Sequence, residues 1–327
     1  MIRDQWYPVL ETSEIKKKNQ LIGAKRLGEK LAFWRDSNGE VHCIFDRCAH
    51  RGASLCAGQI VNDNVQCPFH GLEYDKDGKC VAIPSRGANT AVPKNFKVHS
   101  YLVKEAHDFI WIWWGEPRED GNYPSLPWFE DLDDDFHYIT CKDPWKCHYS
   151  RCIENQLDVT HLWLVHKNTI GRGNKRVSDG PYVIFDDDEN KEKVWVFNRK
   201  DDGTPSLLPK EVEKPDYGAM LHFKFPNIWQ NRIADKVRIF IAFVPVDEEN
   251  TILYIRFCHK ITKVPVLRGF ISRMGRFGSK IIAHQDRRVV ETQEPKRTEL
   301  KMDENLFPAD APIVIYRRLR DTLKKSE

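Results

Sequence analysis

The sequence predicts an α+β protein with two domains, and three observations support that prediction. Short apolar runs separated by turn residues fill the first third of the chain, and a long helical pattern covers residues 266–293. The chain has 327 residues, which suits two domains at about 150 residues per domain. Hydrophobic residues make up 41% and charged residues 30%, which is enough apolar material for sizeable cores and too much for a disordered chain.

The first third has the pattern of antiparallel β structure. Apolar residues at 31–34 are followed by turn residues at 36–39 and by a second apolar run at 41–45. This order predicts a strand, a turn and another strand. A dense aromatic run at 109–114 predicts a further strand, because aromatic side chains favour β structure.

We expect a linker after that strand. The stretch from Arg118 to Asp135 is acidic and contains prolines, a composition typical of connecting segments. We therefore assign residues 1–118 to one domain and residues 119–327 to the second.

The second domain mixes helices and strands, which gives the α+β class. Helical patterns cover residues 152–166, 266–293 and 312–325, and Pro312 suits the first position of the last helix. Strand-like runs cover residues 194–197, 237–244 and 252–257.

Charge and composition exclude several classes of function. The formal net charge is +3, so no overall field favours nucleic acid or a membrane surface. The most apolar run, 109–114, is far shorter than the roughly 20 residues that span a bilayer, and the first residues form no apolar signal region. Nine cysteines without a regular framework indicate metal ligands plus buried bystanders. We expect a cytoplasmic protein.

Two loops of the first domain each contain one cysteine and one histidine. Cys48 and His50 form a C-x-H pattern, and Cys67 and His70 form a C-x-x-H pattern. Two thiolates and two imidazoles suit a structural zinc site. They also suit a Rieske 2Fe–2S cluster, in which one iron binds both thiolates and the other binds both imidazoles. The cluster is favoured because each loop supplies one ligand of each kind, whereas a common zinc finger takes both cysteines from one segment.

A second group of possible metal ligands lies in the pattern D-x-x-H-x-x-x-x-H, formed by Asp158, His161 and His166. On a regular helix, residues five apart point about 140° away from each other. Either the helix is distorted, or one histidine is unrelated to a site. A chain that receives electrons also needs a centre that uses them. Two histidines and one carboxylate can hold iron and leave positions open for oxygen and substrate.

The carboxylate that would complete this site has to come from a distant segment. Asp286 is the best candidate, because it lies on the long helical segment, whose apolar positions predict a buried face. Glu291 and Glu294 are the alternatives, and both are expected to be solvated.

These motifs resemble those of Rieske non-heme iron oxygenases. Within that family, the chain resembles the short type of catalytic subunit, represented by dicamba monooxygenase, vanillate demethylase and the saxitoxin-pathway oxygenases. The resemblance lies in the segments 6–9, 48–52, 67–71, 155–161 and 285–291.

The resemblance assigns roles to residues that match the family motifs. Cys48, His50, Cys67 and His70 correspond to the cluster ligands, and His161, His166 and Asp286 to the ligands of a mononuclear Fe(II). Asp158 corresponds to the carboxylate that links the two metal centres through His70 or, less favoured, His50 of a neighbouring chain. Asn155 corresponds to a polar neighbour of the iron.

The resemblance also implies architecture and partners. The first domain is expected to be an antiparallel β Rieske domain, and the second a helix-grip domain with a curved antiparallel sheet around a long helix. A head-to-tail homotrimer and a separate ferredoxin or flavin reductase are implied. NAD(P)H would act only through that reductase, since no G-x-G-x-x-G opens a helix in this chain.

The expected activity is hydroxylation or oxidative demethylation of a small organic substrate with dioxygen. Ring cis-dihydroxylation, a non-catalytic Rieske electron carrier and a zinc-stabilised binding protein remain alternatives. Candidates for the substrate pocket are Ile153, Leu157 and Val165, with strand residues near Trp195, Phe223, Trp229 and Phe240, and each of them suits a plain core position equally well. The segment 267–280 carries four basic residues, which suit a solvated face or, less favoured, a docking face for the reductase.

Overall fold

The structure, a computed structural model, describes residues 1–87, 90–119, 121–187 and 190–325. The chain divides into two compact units. One comprises Met1 and Arg3–Pro124, and the other comprises Ile2 and Ser125–Glu327. The division lies inside the acidic, proline-containing stretch 118–135.

The described residues of the first unit form eleven short strands. They are β1 (Gln5–Glu11), β2 (Leu21–Arg26), β3 (Glu29–Arg35), β4 (Val41–Phe45), β5 (Gln59–Val61), β6 (Asn64–Gln66), β7 (Glu73–Tyr74), β8 (Cys80–Ala82), β9 (Ser100–Tyr101), β10 (Val103–Ala106) and β11 (Phe109–Trp114). They form three antiparallel sheets with the orders β1-β11-β10, β2-β3-β4-β9 and β5-β6-β7-β8. The antiparallel β structure expected for this part of the sequence is therefore confirmed.

Strand β11 shows why its sequence is continuously apolar. It lies between β1 and β10, and all six of its side chains are buried. A strand that is covered on both faces has no position for alternating polar residues.

A second cluster of buried residues contains Cys48, Cys67, Leu55, Val65 and Tyr74, so both cysteines of the predicted cluster loops are anchored in a hydrophobic core.

The described residues of the second unit form one large sheet and four α-helices. Its elements are β12 (His137–Trp145), α1 (Tyr149–Leu157), α2 (Leu162–Val165), β13 (Val177–Asp186), β14 (Lys191–Arg199), β15 (Leu221–Lys224), β16 (Ile228–Ala234), β17 (Val237–Pro245), β18 (Thr251–His259), α3 (Pro265–Val290) and α4 (Ala311–Lys325). The strands form one seven-stranded antiparallel sheet of order β12-β18-β17-β16-β15-β14-β13. The long helix α3 packs on β12 and β18.

Two of the three predicted helices agree with the structure. Helix α3 matches the pattern at 266–293, and α4 matches the pattern at 312–325 within a few residues. The continuous helix predicted at 152–166 is wrong, because α1 ends at Leu157 and α2 begins only at Leu162. Among the described helices, none is long and apolar enough to cross a membrane.

A buried ion-pair network attaches α1 to α4. Arg317 donates to both carboxylate oxygens of Glu154, at 2.9 and 2.7 Å, and also donates to Glu304 at 2.7 Å. Arg151 donates to the other oxygen of Glu304 at 2.7 Å. Both arginines are nine-tenths or more buried, so each needs these partners to remain charged inside the protein. The network fixes the helix that leads to Asp158.

Candidate active site and metal centres

The two cysteine loops of the first unit have matching backbone turns. The N–H of Gly52 donates to the carbonyl of Cys48 at 2.9 Å, and the N–H of Gly71 donates to that of Cys67 at 3.0 Å. Both glycines are left-handed, with φ values of 74° and 75°, a conformation that other residues adopt at a cost. The glycine after each C-x-H or C-x-x-H pattern therefore closes the turn that holds the ligands.

The four predicted cluster ligands differ in burial. Cys48 and Cys67 are each 3% exposed, whereas His50 and His70 lie at the surface with ring centroids 4.8 Å apart. A cluster held here would have its thiolate-bound iron inside the domain and its imidazole-bound iron toward the outside. This arrangement fits a Rieske cluster, whose two irons bind different ligands.

The electrostatics of the thiols also fit a metal cluster. Burial raises the pKa of Cys67, the N–H groups of Phe69 and His70 oppose the rise, and the neighbouring Cys48 adds to it. Two buried thiolates side by side therefore need a positive centre between them. The Tyr74 hydroxyl lies 3.2 Å from Cys48 Sγ and accepts the N–H of Ala49 at 3.1 Å. The tyrosine hydrogen is thus available to the sulfur.

The second group of ligands is formed where the predicted helix breaks. Asp158 follows α1 in an extended conformation, with φ −69° and ψ 124°. Its Oδ1 accepts the backbone N–H and the hydroxyl of Thr160 at 2.6 and 2.7 Å. Such side-chain bonds compete with helical ones, which is the physical reason that the continuous helix was a wrong prediction.

The break brings the two histidines together. His161 precedes α2 and His166 follows it, and their ring centroids are 5.2 Å apart. On an uninterrupted helix these side chains would point to different faces. Of the two interpretations left open by the sequence, the distorted helix is the one that the structure contains.

The side chain of Asp286 on α3 lies beside these two histidines. Its Oδ1 lies 2.9 Å from His166 Nε2 and 3.6 Å from His161 Nε2, and the three donor atoms lie within 4.8 Å of one another. Asp286 is 2% exposed, and its Oδ1 has no hydrogen-bond partner among the described residues. Glu291 instead accepts the N–H of Lys146, and Glu294 is exposed.

This donor set fits a metal ion. A buried carboxylate oxygen that faces two imidazole nitrogens without forming a hydrogen bond is unfavourable until a cation lies between them. Two histidines and one carboxylate form the combination that binds non-heme iron and leaves positions open.

Polar neighbours orient the three ligands. Gln285 Oε1 lies 2.8 Å from His166 Nδ1 and also accepts the hydroxyl of Thr169. Gln156 Nε2 donates to Asp286 Oδ2 at 3.4 Å. An acceptor at Nδ1 fixes the ring so that Nε2 presents its lone pair to a metal. The roles of Gln156 and Thr169 were not predicted from the sequence, because neither residue occupies a ligand position in a spacing pattern.

Asp158 faces the other histidine. Its Oδ2 lies 3.7 Å from His161 Nδ1, which is beyond hydrogen-bond distance. Burial disfavours both charged forms, yet the pKa of Asp158 is lowered by His161 and the pKa of His161 is raised by Asp158. The predicted polar neighbour Asn155 is half-buried, and its Nδ2 has no partner in the described parts of the chain.

A cavity of about 350 Å³ adjoins His161, His166 and Asp286. Its walls come from the large sheet and α3, with Ile239, Ile241, Leu253, Ile255 and Phe257 among the lining residues. Such apolar cavities exclude water and bind small molecules.

Only one of the seven predicted pocket residues, Trp229, lines this cavity. Because side chains alternate along a strand, Phe240 lies on the face opposite to Ile239 and Ile241 and packs on Trp128 and Phe129. Phe223 pairs with Trp229 across β15 and β16 and so lies on the cavity face of the sheet, but it packs on Tyr316 of α4 and does not line the cavity. Phe240 therefore belongs to the core on the other side of the sheet, and Phe223 belongs to the packing between the sheet and α4.

Comparisons with known proteins identify the family of the chain. A model of the Rieske [2Fe-2S] domain matches residues 5–101. A model of the vanillate O-demethylase oxygenase C-terminal domain matches residues 145–326, more than half of the chain. The oxygenase component of dicamba O-demethylase from Stenotrophomonas maltophilia is 33% identical over 76% of this chain and 69% of its own length.

Two further comparisons concern chain length and fold. The chloroplast protein TIC 55 of Pisum sativum is 28% identical over 71% of this chain and 40% of its own length, so this chain spans less than half of that relative. The crystal structure of dicamba monooxygenase bound to dicamba has a TM-score of 0.75 at 23% identity, and the match covers 100% of this chain and 98% of that chain. The predicted two-part α+β fold is confirmed.

Proposed function

The chain belongs to the Rieske oxygenases that carry a vanillate O-demethylase oxygenase C-terminal domain, and we propose that it hydroxylates or oxidatively demethylates a small organic substrate. Dioxygen and electrons from a separate ferredoxin or flavin reductase would be the other reactants. One oxygen atom enters a C–H bond, and the other becomes water with two electrons and two protons. Insertion into a methyl group on oxygen or nitrogen gives a hydroxymethyl group that leaves as formaldehyde.

The observation that carries this proposal is the convergence of His161, His166 and Asp286 beside an apolar cavity. When bound, the Rieske cluster supplies single electrons and the mononuclear iron supplies the activation of dioxygen. The residues of the chain would hold the metals, orient the metal ligands and enclose the substrate. Gln285 keeps the imidazole of His166 turned toward the metal position, and the cavity walls exclude water from the substrate.

We also propose the head-to-tail homotrimer implied by the family, in which Asp158 accepts a hydrogen bond from His70 of a neighbouring chain, with His50 as the alternative donor. Both histidines are exposed, and the side chain of Asp158 is 28% exposed. Thr160 already donates to one oxygen of Asp158, but a carboxylate can accept several hydrogen bonds. A cytoplasmic location is proposed because all nine cysteines are free, which suits a reducing compartment.

Turnover of a substrate panel with a surrogate reductase and isotopically labelled dioxygen tests this function. Hydroxylation adds one labelled oxygen atom to the product, and demethylation releases labelled formaldehyde with net loss of a CH2 unit. A product with two oxygen atoms and two hydrogen atoms added would instead identify ring cis-dihydroxylation. A protein that exchanges electrons but oxidises nothing in the panel, and that binds no iron outside its cluster, would be an electron carrier and contradict the proposal.

A further inference from the structure

Strand β16 presents alternate side chains to the cavity beside the iron-binding residues. Successive side chains of a strand point to opposite faces, and Trp229, Asn231 and Ile233 all line the cavity. The other lining residues contributed by the described strands are apolar. β16 therefore contributes an indole N–H and a carboxamide to a sheet wall that is otherwise hydrocarbon apart from Trp145, whose indole N–H already donates to Asp143 Oδ2 at 3.1 Å.

Two polar atoms of this wall lack partners. Trp229 is 4% exposed, and neither its Nε1 nor the Oδ1 of Asn231 has a hydrogen-bond partner within the described residues. Buried polar atoms in folded proteins normally have partners, and exceptions call for an explanation. A molecule in the cavity that accepts from Trp229 and donates to Asn231 would satisfy both atoms.

The charge of the cavity restricts what that molecule can be. The lining residues that the structure describes include the carboxylates Asp158 and Asp286 but no lysine or arginine. An anionic group placed on β16 would lose its hydration without gaining a lysine or arginine as its partner. At about 350 Å³ the cavity lies near the lower end of ligand sites, which measure about 300–1,000 Å³, so it suits a molecule of one or two rings.

We propose that the substrate is an uncharged, largely apolar molecule whose polar group both accepts and donates a hydrogen bond, and that Trp229 and Asn231 select it. A carboxamide and a hydroxyl share this chemistry. The inference rests on the proposed oxygenase function, because it names the substrate class of the same cavity. Trp229 and Asn231 are specificity residues that orient the substrate, and the ligands of the metal are separate from them.

Binding of four matched probes to the metal-loaded protein tests the proposal by calorimetry. The probes are 4-methoxybenzamide, 4-methoxybenzyl alcohol, 4-methoxybenzoate and 4-methoxytoluene. We expect the amide, the alcohol or both to bind at least about tenfold more tightly than the carboxylate, the order of one satisfied hydrogen bond. The comparison of the first two probes shows which polar group the site accepts.

Two variants separate hydrogen bonding from packing. Asn231→Leu removes the acceptor and Trp229→Phe removes the donor, and each should weaken binding of the preferred probe about tenfold without weakening 4-methoxytoluene. Ile233→Leu, on the same face of β16, is the matched control and should not change the ratio between probes. Unchanged thermal unfolding and cluster absorbance show that the variants are folded.

The proposal is overturned if the carboxylate binds as tightly as the amide and the alcohol, if neither of these two binds, or if the β16 variants weaken all probes equally. Product analysis of the same proteins and probes, after addition of dioxygen and the reduced surrogate reductase, keeps the two proposals apart. Selective binding without any oxidation would contradict the oxygenase function and leave the specificity intact. Oxidation of the probes without selective binding would contradict the proposed specificity and leave the oxygenase function intact.

Discussion

His166 Nε2 and Asp286 Oδ1 lie 2.9 Å apart, although His166 follows the one-turn helix α2 and Asp286 lies near the end of the long helix α3. The two atoms approach closely without a hydrogen bond, since Asp286 Oδ1 has no such partner among the described residues. Two electron-rich atoms held in this way indicate a position for a cation. The fold of the second unit thus brings distant side chains to one point beside the apolar cavity.

The hydrogen bond available from Tyr74 to Cys48 should tune the cluster. A hydrogen bond to a ligand sulfur stabilises the reduced cluster, which carries more negative charge. Tyr74→Phe should lower the reduction potential by roughly 40 mV, since about 1 kcal/mol corresponds to that shift for one electron. Tyr101→Phe, in the other core of the same unit, is the control. Equal potentials in Tyr74→Phe and the wild type, measured by a redox titration, would contradict this assignment.

The role of Asp158 can be separated from a structural one. Asp158→Asn keeps the size of the side chain but removes its charge, so the variant should keep both metals, reduce its cluster normally and form almost no product in a single-turnover assay. The exposed Asp303→Asn serves as the control.

Two other outcomes would reject the bridging role of Asp158. Turnover near the wild-type rate would mean that Asp158 is only a surface residue. Loss of mononuclear iron together with activity would mean that it only supports His161.

The buried arginine of α4 should contribute strongly to stability. Arg317→Met removes both hydrogen bonds to the buried Glu154 and leaves it only the longer contact with Arg151 at 3.7 Å, and breaking a buried ion pair typically costs about 3–5 kcal/mol of unfolding free energy. Denaturant unfolding measures the change. The neighbouring exposed Arg318→Met should change stability by no more than about 0.5 kcal/mol, and similar losses in both variants would show that the network is unimportant.

Acid should weaken the same network. Burial raises the pKa of Glu304, but Arg317 and Arg151 lower it more, so the folded pKa lies below the ordinary 4.5. Because that pKa is lower in the folded state, the stabilisation is present above about pH 4.5 and is lost as the pH falls through the folded pKa. Unfolding free energy should therefore fall less steeply with acid in Glu304→Gln than in the wild type, and parallel curves would contradict the assignment.

The sequence motifs predicted which side chains come together better than they predicted the local backbone geometry. Residue types and spacing, together with the family resemblance, selected the four proposed cluster ligands and the three side chains that the structure brings together at the proposed iron site. The break after Leu157 could not be predicted from periodicity, because it depends on the bonds from Thr160 to Asp158. The sequence also could not predict which side of each strand faces the cavity, since Phe240 and Ile241 are adjacent and both apolar. Only the packing of α3 and α4 distinguishes the two faces of the sheet.

Iron content of His161→Ala beside the wild type tests the central claim most directly. The account predicts that the variant loses the mononuclear iron, keeps the iron and the red-brown colour of the cluster, and forms no oxidised product. Glu294→Gln, an exposed carboxylate beyond the end of α3, should keep all of its iron. If His161→Ala retains the same iron per chain as the wild type, His161 is not a ligand and the proposed oxygenase centre is contradicted.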